Sequence, residues 1–296
     1  MTVRCTVIIA TYRRSGLVCR AVESVLAQTF PDFELVVVDD NGVGHPEQLA
    51  TVQALNSRFV DSRLIYRVNP ESLGCSGARN AGLAEARGEF VAFLDDDEQW
   101  LPEKLARQLA MMDTLPAGVA LLDTGFYDMK PGRRHPREVR PKMQGQVFEQ
   151  LLAKTAGRAP KLSTVLVRRS ALDEVGGFDI RMPAREDLDL YIRLARQYEF
   201  ASLPEPLARK CYDANSARLS RNPAAMLKGS ELLYRKIEAD LQTHPRDHAV
   251  FLLRFARELS RAGETVRARQ YLLRAYRLWR KNPRLLSYAP RILLRR

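Results

Sequence analysis

The chain has 296 residues, 46% hydrophobic and 28% charged, which gives one large domain, or a domain with an appendage, a core that needs no staples. Its four cysteines, at 5, 19, 75 and 211, form no C-x-x-C pair, and its longest charge-free run is ten residues, 48–57; a disulfide scaffold, a thiolate zinc site and a bilayer-spanning helix of ~20 residues are all excluded. The net charge of +12 is lopsided, with 14 Lys and Arg against 3 Asp and Glu in residues 241–296 but 33 against 32 in residues 1–240, so a basic end suited to an anionic surface follows a neutral body that lacks a nucleic-acid footprint.

Strand and helix signals alternate from the start. Residues 3–10 (VRCTVIIA) read as a buried strand, and 17–28 as a helix carrying Val18, Ala21, Val22, Val25 and Leu26 at helical spacing. Arg13, Arg14 and Arg20 follow a run of only eight uncharged residues, 5–12, so no secretory leader is expected and the protein reads as cytoplasmic. A second strand at 33–38 (FELVVV) ends on Asp39-Asp40-Asn41, followed by a helix at 48–57, a strand at 63–68 and a small-residue helix at 76–86. A fourth strand, 90–94 (FVAFL), ends on Asp95-Asp96-Asp97, and a helix covers 101–112. Strands of this kind separated by helices predict a parallel sheet with helices on both faces, which binds ligands at the carboxyl ends of its strands. Both acidic runs fall on that edge.

Further strands are expected at 118–129 and 162–168, a loop at 131–145 and a helix at 188–198. From Met226 the pattern is wholly helical, with two amphipathic helices, 247–262 and 264–280, broken at Gly263. No G-x-G-x-x-G, P-loop, H-E-x-x-H or G-x-S-x-G motif occurs, and the histidines at 45, 135, 244 and 248 are scattered. The chemistry that remains is acidic. The strand period of two sends Asp95 and Asp97 to one side and Asp96 to the other, and carboxylates so placed suit Mg²⁺ or Mn²⁺ held against phosphates. Taken alone, each acidic run also reads as a turn or a helix start, where acids favour the helix dipole.

Four segments in order, VIIATYRR (7–14), VVVDDN (36–41), GCSGARNAGLAEARGEFVAFLDDDEQWLPEKL (74–105) and GGFDIRMPAREDLDLYIRLA (176–195), resemble the motifs of glycosyltransferase family 2, the inverting transferases of the GT-A fold. The resemblance covers about residues 3–220. It implies an α/β GT-A domain with a doubly wound, mostly parallel sheet flanked by helices over 1–220, with a nucleotide-binding half of about 1–125 and an acceptor half of about 126–220. A basic helical extension follows over 221–296. Thr11, Tyr12, Asp39, Asp40, Gly74, Arg79, Asn80, Asp95 and Asp96 are then implied in nucleotide binding, with Asp40 on the base. Asp97, with Asp95, is implied as the ligand set for Mn²⁺ or Mg²⁺. Asp187 is implied as the catalytic base, with Glu186 on the acceptor side; both also suit a helix N-terminus. Arg13-Arg14 stands where the family often has asparagine. Residues 209–220 lack the histidine of its phosphate loop, which leaves Arg209, Lys210 or Arg218 as the phosphate contact.

The implied activity is transfer of one sugar from a nucleotide-sugar, a UDP-sugar by preference, to a hydroxyl of a glycan or lipid-linked acceptor, as in cell-surface glycan or lipopolysaccharide-type synthesis. Two alternatives stay open, a metal-dependent sugar nucleotidyltransferase and a non-catalytic sugar-nucleotide-binding scaffold. A single glycine in residues 11–20 disfavours the first, and the full set of acids disfavours the second. Residues 265–296 hold ten Lys and Arg, no acid, and leucines with Trp279 between them, a composition for peripheral attachment to the inner face of an anionic membrane.

Overall fold

A computed structural model of the chain describes residues 3–153, 159–212, 222–283, 285, 288 and 289. Residues 213–220 and most of 284–296, on which the Arg218 and part of the membrane expectation fall, lie outside the described residues. The chain forms two compact units: Met1–Val147, Pro160–Ile180 and Arg193–Ser216 in the first, and Phe148–Ala159, Arg181–Ile192 and Ala217–Arg296 in the second.

The first unit is built on one sheet. Strands β1 (Cys5–Thr11), β2 (Phe33–Asp39), β3 (Leu64–Val68) and β4 (Phe90–Phe93) lie parallel in the order β3-β2-β1-β4. The sheet continues through β8 (Val165–Arg168), β6 (Val119–Asp128), β9 (Glu199–Lys210) and the short β5 (Gln99–Trp100). Here β6 and β9 are parallel, while β8 and β5 run antiparallel to their neighbours. The side-chain period of two divides the apolar runs between the faces. Val7, Ile9, Leu35 and Val37 share a core with Val18, Val22 and Val25 of helix α1 (Ser15–Leu26), and Val36 and Val38 pack with Ala78 of helix α3 (Gly74–Glu85). Each leucine or valine buried in this way contributes about 1.5–3 kcal/mol. Helix α2 (Pro46–Asn56) follows β2, and α4 (Lys104–Met112) follows β5.

The expected strands and helices of residues 3–112 all form, with ends shifted by at most three residues. The middle of the chain differs more. The expected loop at 131–145 contains a short strand, β7 (Arg137–Val139), paired with β6, and the expected strand at 162–168 opens with a 3₁₀ turn, Leu162–Thr164. Helices α5 (Phe148–Ala153) and α6 (Arg169–Val175) and strands β5 and β9 carry no clear periodicity. In β9, Pro204 and Pro206 interrupt the strand pattern, and the pairing tolerates them because β9 bulges there, opposite Gly125 of β6.

In the second unit, helix α7 (Glu186–Ala195) begins, and α8 (Pro223–Gln242), α9 (Pro245–Arg261) and α10 (Thr265–Leu278) form a helical stack. Asn222 caps α8, its Oδ1 accepting from the Ala224 and Ala225 amides at 3.1 Å, and Pro223 takes the first helical position. The core is aromatic: Tyr234 stacks on Phe251 with centroids 5.3 Å apart, and Tyr271 meets Phe255 edge-on at 4.8 Å.

Helix α3 lies close on the sheet because Gly82 offers no side chain. A Cβ there would sit 2.6 Å from Cγ2 of the buried, β-branched Ile8. Gly82→Ala is therefore expected to lower stability by about 1–3 kcal/mol despite alanine's better helix propensity, read as a fall in the urea midpoint at unchanged slope.

Candidate active site

At the end of β4 the chain leaves the core as Leu94-Asp95-Asp96-Asp97-Glu98. Carboxylate oxygens of Asp95, Asp97 and Glu98 lie within 4.8 Å of one another. A tight turn, with the Glu98 amide donating to the Asp95 carbonyl at 3.0 Å, gathers them, and the Asp95 amide is held by Ser163 Oγ at 3.1 Å. Arg79, largely buried in α3, donates to Asp95 at 2.9 Å and lies over the Phe178 ring. Glu98 is buried. Its carboxyl is held well above the usual carboxylate range, first by burial and then by the charge of Asp95, against which Lys210 at the end of β9 acts. Three oxygen ligands of one sign, crowded at a sheet edge, fit a hard divalent cation.

Asp96 points the other way. It accepts from Thr11 Oγ1 at 2.9 Å and from the Arg14 guanidinium at 2.7 Å, and is only 4% exposed. Burial raises its pKa to about 6, against the pull of Arg14. Arg14 thus ties the acidic run to the loop after β1.

The second acidic run lies beside the first. The Asp40 amide donates to the Thr11 carbonyl at 2.9 Å, and the Asp40 carboxylate accepts four donors: Asn69 Nδ2, Ser72 Oγ and the amides of Leu73 and Gly74, at 2.7–2.9 Å. Asp40 therefore holds the loop that opens α3. Asp39 accepts from the Asn41 amide and side chain and from the Tyr66 hydroxyl. Tyr12 is 43% exposed, with Arg13 in the left-handed backbone region at φ 54° and its guanidinium 4.9 Å from the Tyr12 ring. Asn80 grips the Phe178 backbone with both amide atoms, at 2.7 and 2.8 Å, and a Cβ on Gly177 would meet its Oδ1 at 2.5 Å. Its amide is thereby committed to the Gly176-Gly177-Phe178 loop.

Thr11, Asp39, Asp40, Gly74, Arg79, Asp95 and Asp96 thus belong to one sheet edge laced by these hydrogen bonds, and Asp97 joins them through its carboxylate's closeness to Asp95 and Glu98. Glu186 and Asp187 belong to the second unit, where they open α7, and the Asp187 carboxylate accepts from the Leu188 amide at 2.7 Å. In the same unit Lys236 pairs with Asp189 at 2.6 Å, and Arg185 bonds Ser230 and Glu258. Sequence reasoning missed Glu98 as a member of the acidic cluster, although it is the fourth acid of the run. It also missed Ser163, which carries no signal in the sequence.

The family model described as "Glycosyl transferase family 2" matches residues 6–176. The chain belongs to glycosyl transferase family 2. Membership makes it a glycosyltransferase and sets aside the nucleotidyltransferase and scaffold readings. Among its relatives, the uncharacterized glycosyltransferase YwdF of Bacillus subtilis is 28% identical over 67% of this chain and 70% of its own length. The UDP-Glc:alpha-D-GlcNAc-diphosphoundecaprenol beta-1,3-glucosyltransferase WfaP of Escherichia coli is 35% identical over 37% of this chain, a stretch that spans only 41% of WfaP. The fold matches S. aureus TarS 1-349, solved in complex with UDP-GlcNAc, at a TM-score of 0.61 and 19% identity, over 93% of this chain and 89% of that one. It also matches the Pyrobaculum calidifontis mannosyltransferase PcManGT, solved with GDP-Man and Mn²⁺, at 0.59 and 19% identity over 94% and 88%. These likenesses establish the expected GT-A fold.

The Arg14–Asp96 pair gives this family 2 enzyme a pH signature. Because the folded-state pKa of Asp96 lies above its ordinary 3.8, the folded chain binds the extra proton between those values, and stability declines as pH rises from 3.8 to about 6. Removing Arg14 takes away the attraction that limits this rise, so the decline extends beyond pH 6. Arg14→Ala is expected to match wild type at pH 5 and to fall behind by about 1–3 kcal/mol at pH 8 in urea unfolding.

Proposed function

We propose that the enzyme is an inverting transferase that moves one sugar from a UDP-sugar to a hydroxyl of a glycan or lipid-linked acceptor. The observation that carries the donor half is the convergence of Asp95, Asp97 and Glu98 beside the Thr11–Asp40–Gly74 edge. In this reading residues 1–220 form the transferase domain and 221–296 a helical extension. TarS with UDP-GlcNAc, PcManGT with GDP-Man and Mn²⁺, and WfaP with its UDP-Glc donor and lipid-diphosphate acceptor support the substrate class.

Asp95 and Asp97, joined by Glu98, would hold Mn²⁺ or Mg²⁺, and the bound cation offsets the charge that gathers on the departing diphosphate. Asp40 accepts the imide N–H of the base, releasing the hydroxyl of exposed Ser72, the one of its four donors that can simply rotate away. Tyr12 offers its exposed ring to the nucleoside, and Asp39 stiffens the Asp40 turn. Asp96, fixed by Thr11 and Arg14, faces the ribose. Arg79 and the α3 start at Gly74 steer the phosphates, while Asn80 contributes by holding loop 176–178.

Asp187 takes the proton of the acceptor hydroxyl, with Glu186 orienting the acceptor. As that proton leaves, the oxygen attacks the anomeric carbon opposite the diphosphate, so that a single displacement inverts the configuration. A positioned general base is worth ~10²–10⁴ in rate. No helix among the described residues is long and apolar enough to cross a membrane. We place the enzyme in the cytoplasm, peripheral to the inner membrane face, where a lipid-linked acceptor is presented.

Asp187→Asn keeps the shape and loses the base. Its kcat is expected to fall by ~10²-fold or more with donor affinity little changed, and the wild-type product to carry the inverted anomeric configuration. Equal transfer rates, or a retained configuration by NMR, would refute the assignment.

A further inference from the structure

The outward side of α10 mixes cations with large apolar side chains. Val266, Arg269, Gln270, Leu273, Tyr276 and Arg277 recur at helical spacing and form one exposed stripe. Three of its members are large apolar groups in water: Val266 is 69%, Leu273 48% and Tyr276 45% exposed. The opposite side, Ala268, Leu272 and Ala275, is buried and accounts for the packing of the helix. Two further arginines of α10 are paired with acids: Arg267 with Glu231 and Glu264, and Arg274 with Glu238. The outer stripe therefore combines cations with large apolar side chains exposed to water. Beyond it, Arg280 and Lys281 are also exposed, and residues 265–296 contain no acid.

We propose that this face of α10 docks on an anionic phospholipid surface, which deepens the peripheral attachment proposed above. Headgroup phosphates would take the arginines while Val266, Leu273 and Tyr276 enter the acyl boundary, as an interfacial amphipathic helix does. A protein partner fits less well, since a stable interface uses about 20–30 residues a side and this stripe has six. A nucleic acid backbone would satisfy the arginines but leave the three apolar side chains in water.

Co-sedimentation of the full chain with vesicles of phosphatidylglycerol and phosphatidylcholine tests the proposal, with pure phosphatidylcholine as the control. Binding is expected only on the anionic vesicles, weakening with salt. Arg277→Gln should reduce partitioning by about fivefold, and Leu273→Gln with Arg277→Gln more strongly. Circular dichroism and thermal unfolding should match wild type, since both positions are exposed. Several results would overturn the proposal: no binding, equal binding to neutral vesicles, an undiminished double variant, displacement by a short DNA duplex, or self-association lost in the same double variant. None of these readouts involves sugar transfer, so failure here leaves the transferase reading intact, and failure of transfer leaves this one intact.

Discussion

Four consecutive carboxylates crowd the point where a fully buried strand meets solvent, and the local structure is organised around them. Left to themselves, four negative charges on adjacent residues repel one another at a place where burial already disfavours ionisation. The fold resolves the conflict by dividing them. Asp96 turns to Arg14 and Thr11, Asp95 receives Arg79, and Asp97 and Glu98 remain close to Asp95. Much of the surrounding structure serves that division: Ser163 holds the Asp95 backbone, and Trp100 Nε1 donates to the Ser163 carbonyl at 2.7 Å.

The second acidic run shows the same economy at lower charge density. Asp40 is saturated by four donors of its own chain, which fix its carboxylate in place. Asn80 and Arg79, adjacent in α3, divide their labour in a comparable way, the amide securing loop 176–178 and the guanidinium reaching the acidic cluster.

Much of this was legible from residue patterns. Buried strands ending on Asp39-Asp40 and Asp95–Asp97 placed both acidic runs on one edge, and the strand period separated Asp96 from its neighbours. The local alphabet could not show partners distant in sequence. Arg14 meets Asp96 across 82 residues and Asn80 meets Phe178 across 98, and neither pairing leaves a periodic trace. Strand β9 stayed hidden because Pro204 and Pro206 obey a local rule that a bulge of β9 opposite Gly125 overrides. Glu98 was in plain view, but a carboxylate one residue past an Asp run looks like the start of a helix until burial is known.

The sharpest test is calorimetric. UDP binding measured with and without Mn²⁺, for wild type and Asp97→Ala, separates a cation-assisted donor site from an acidic turn. Wild type is expected to bind UDP much more tightly with Mn²⁺ present, and Asp97→Ala to lose that gain while melting at the wild-type temperature. UDP affinity indifferent to Mn²⁺ in wild type, or a gain from Mn²⁺ that survives in Asp97→Ala, would contradict the assignment of the acidic run to the donor's metal-bound diphosphate.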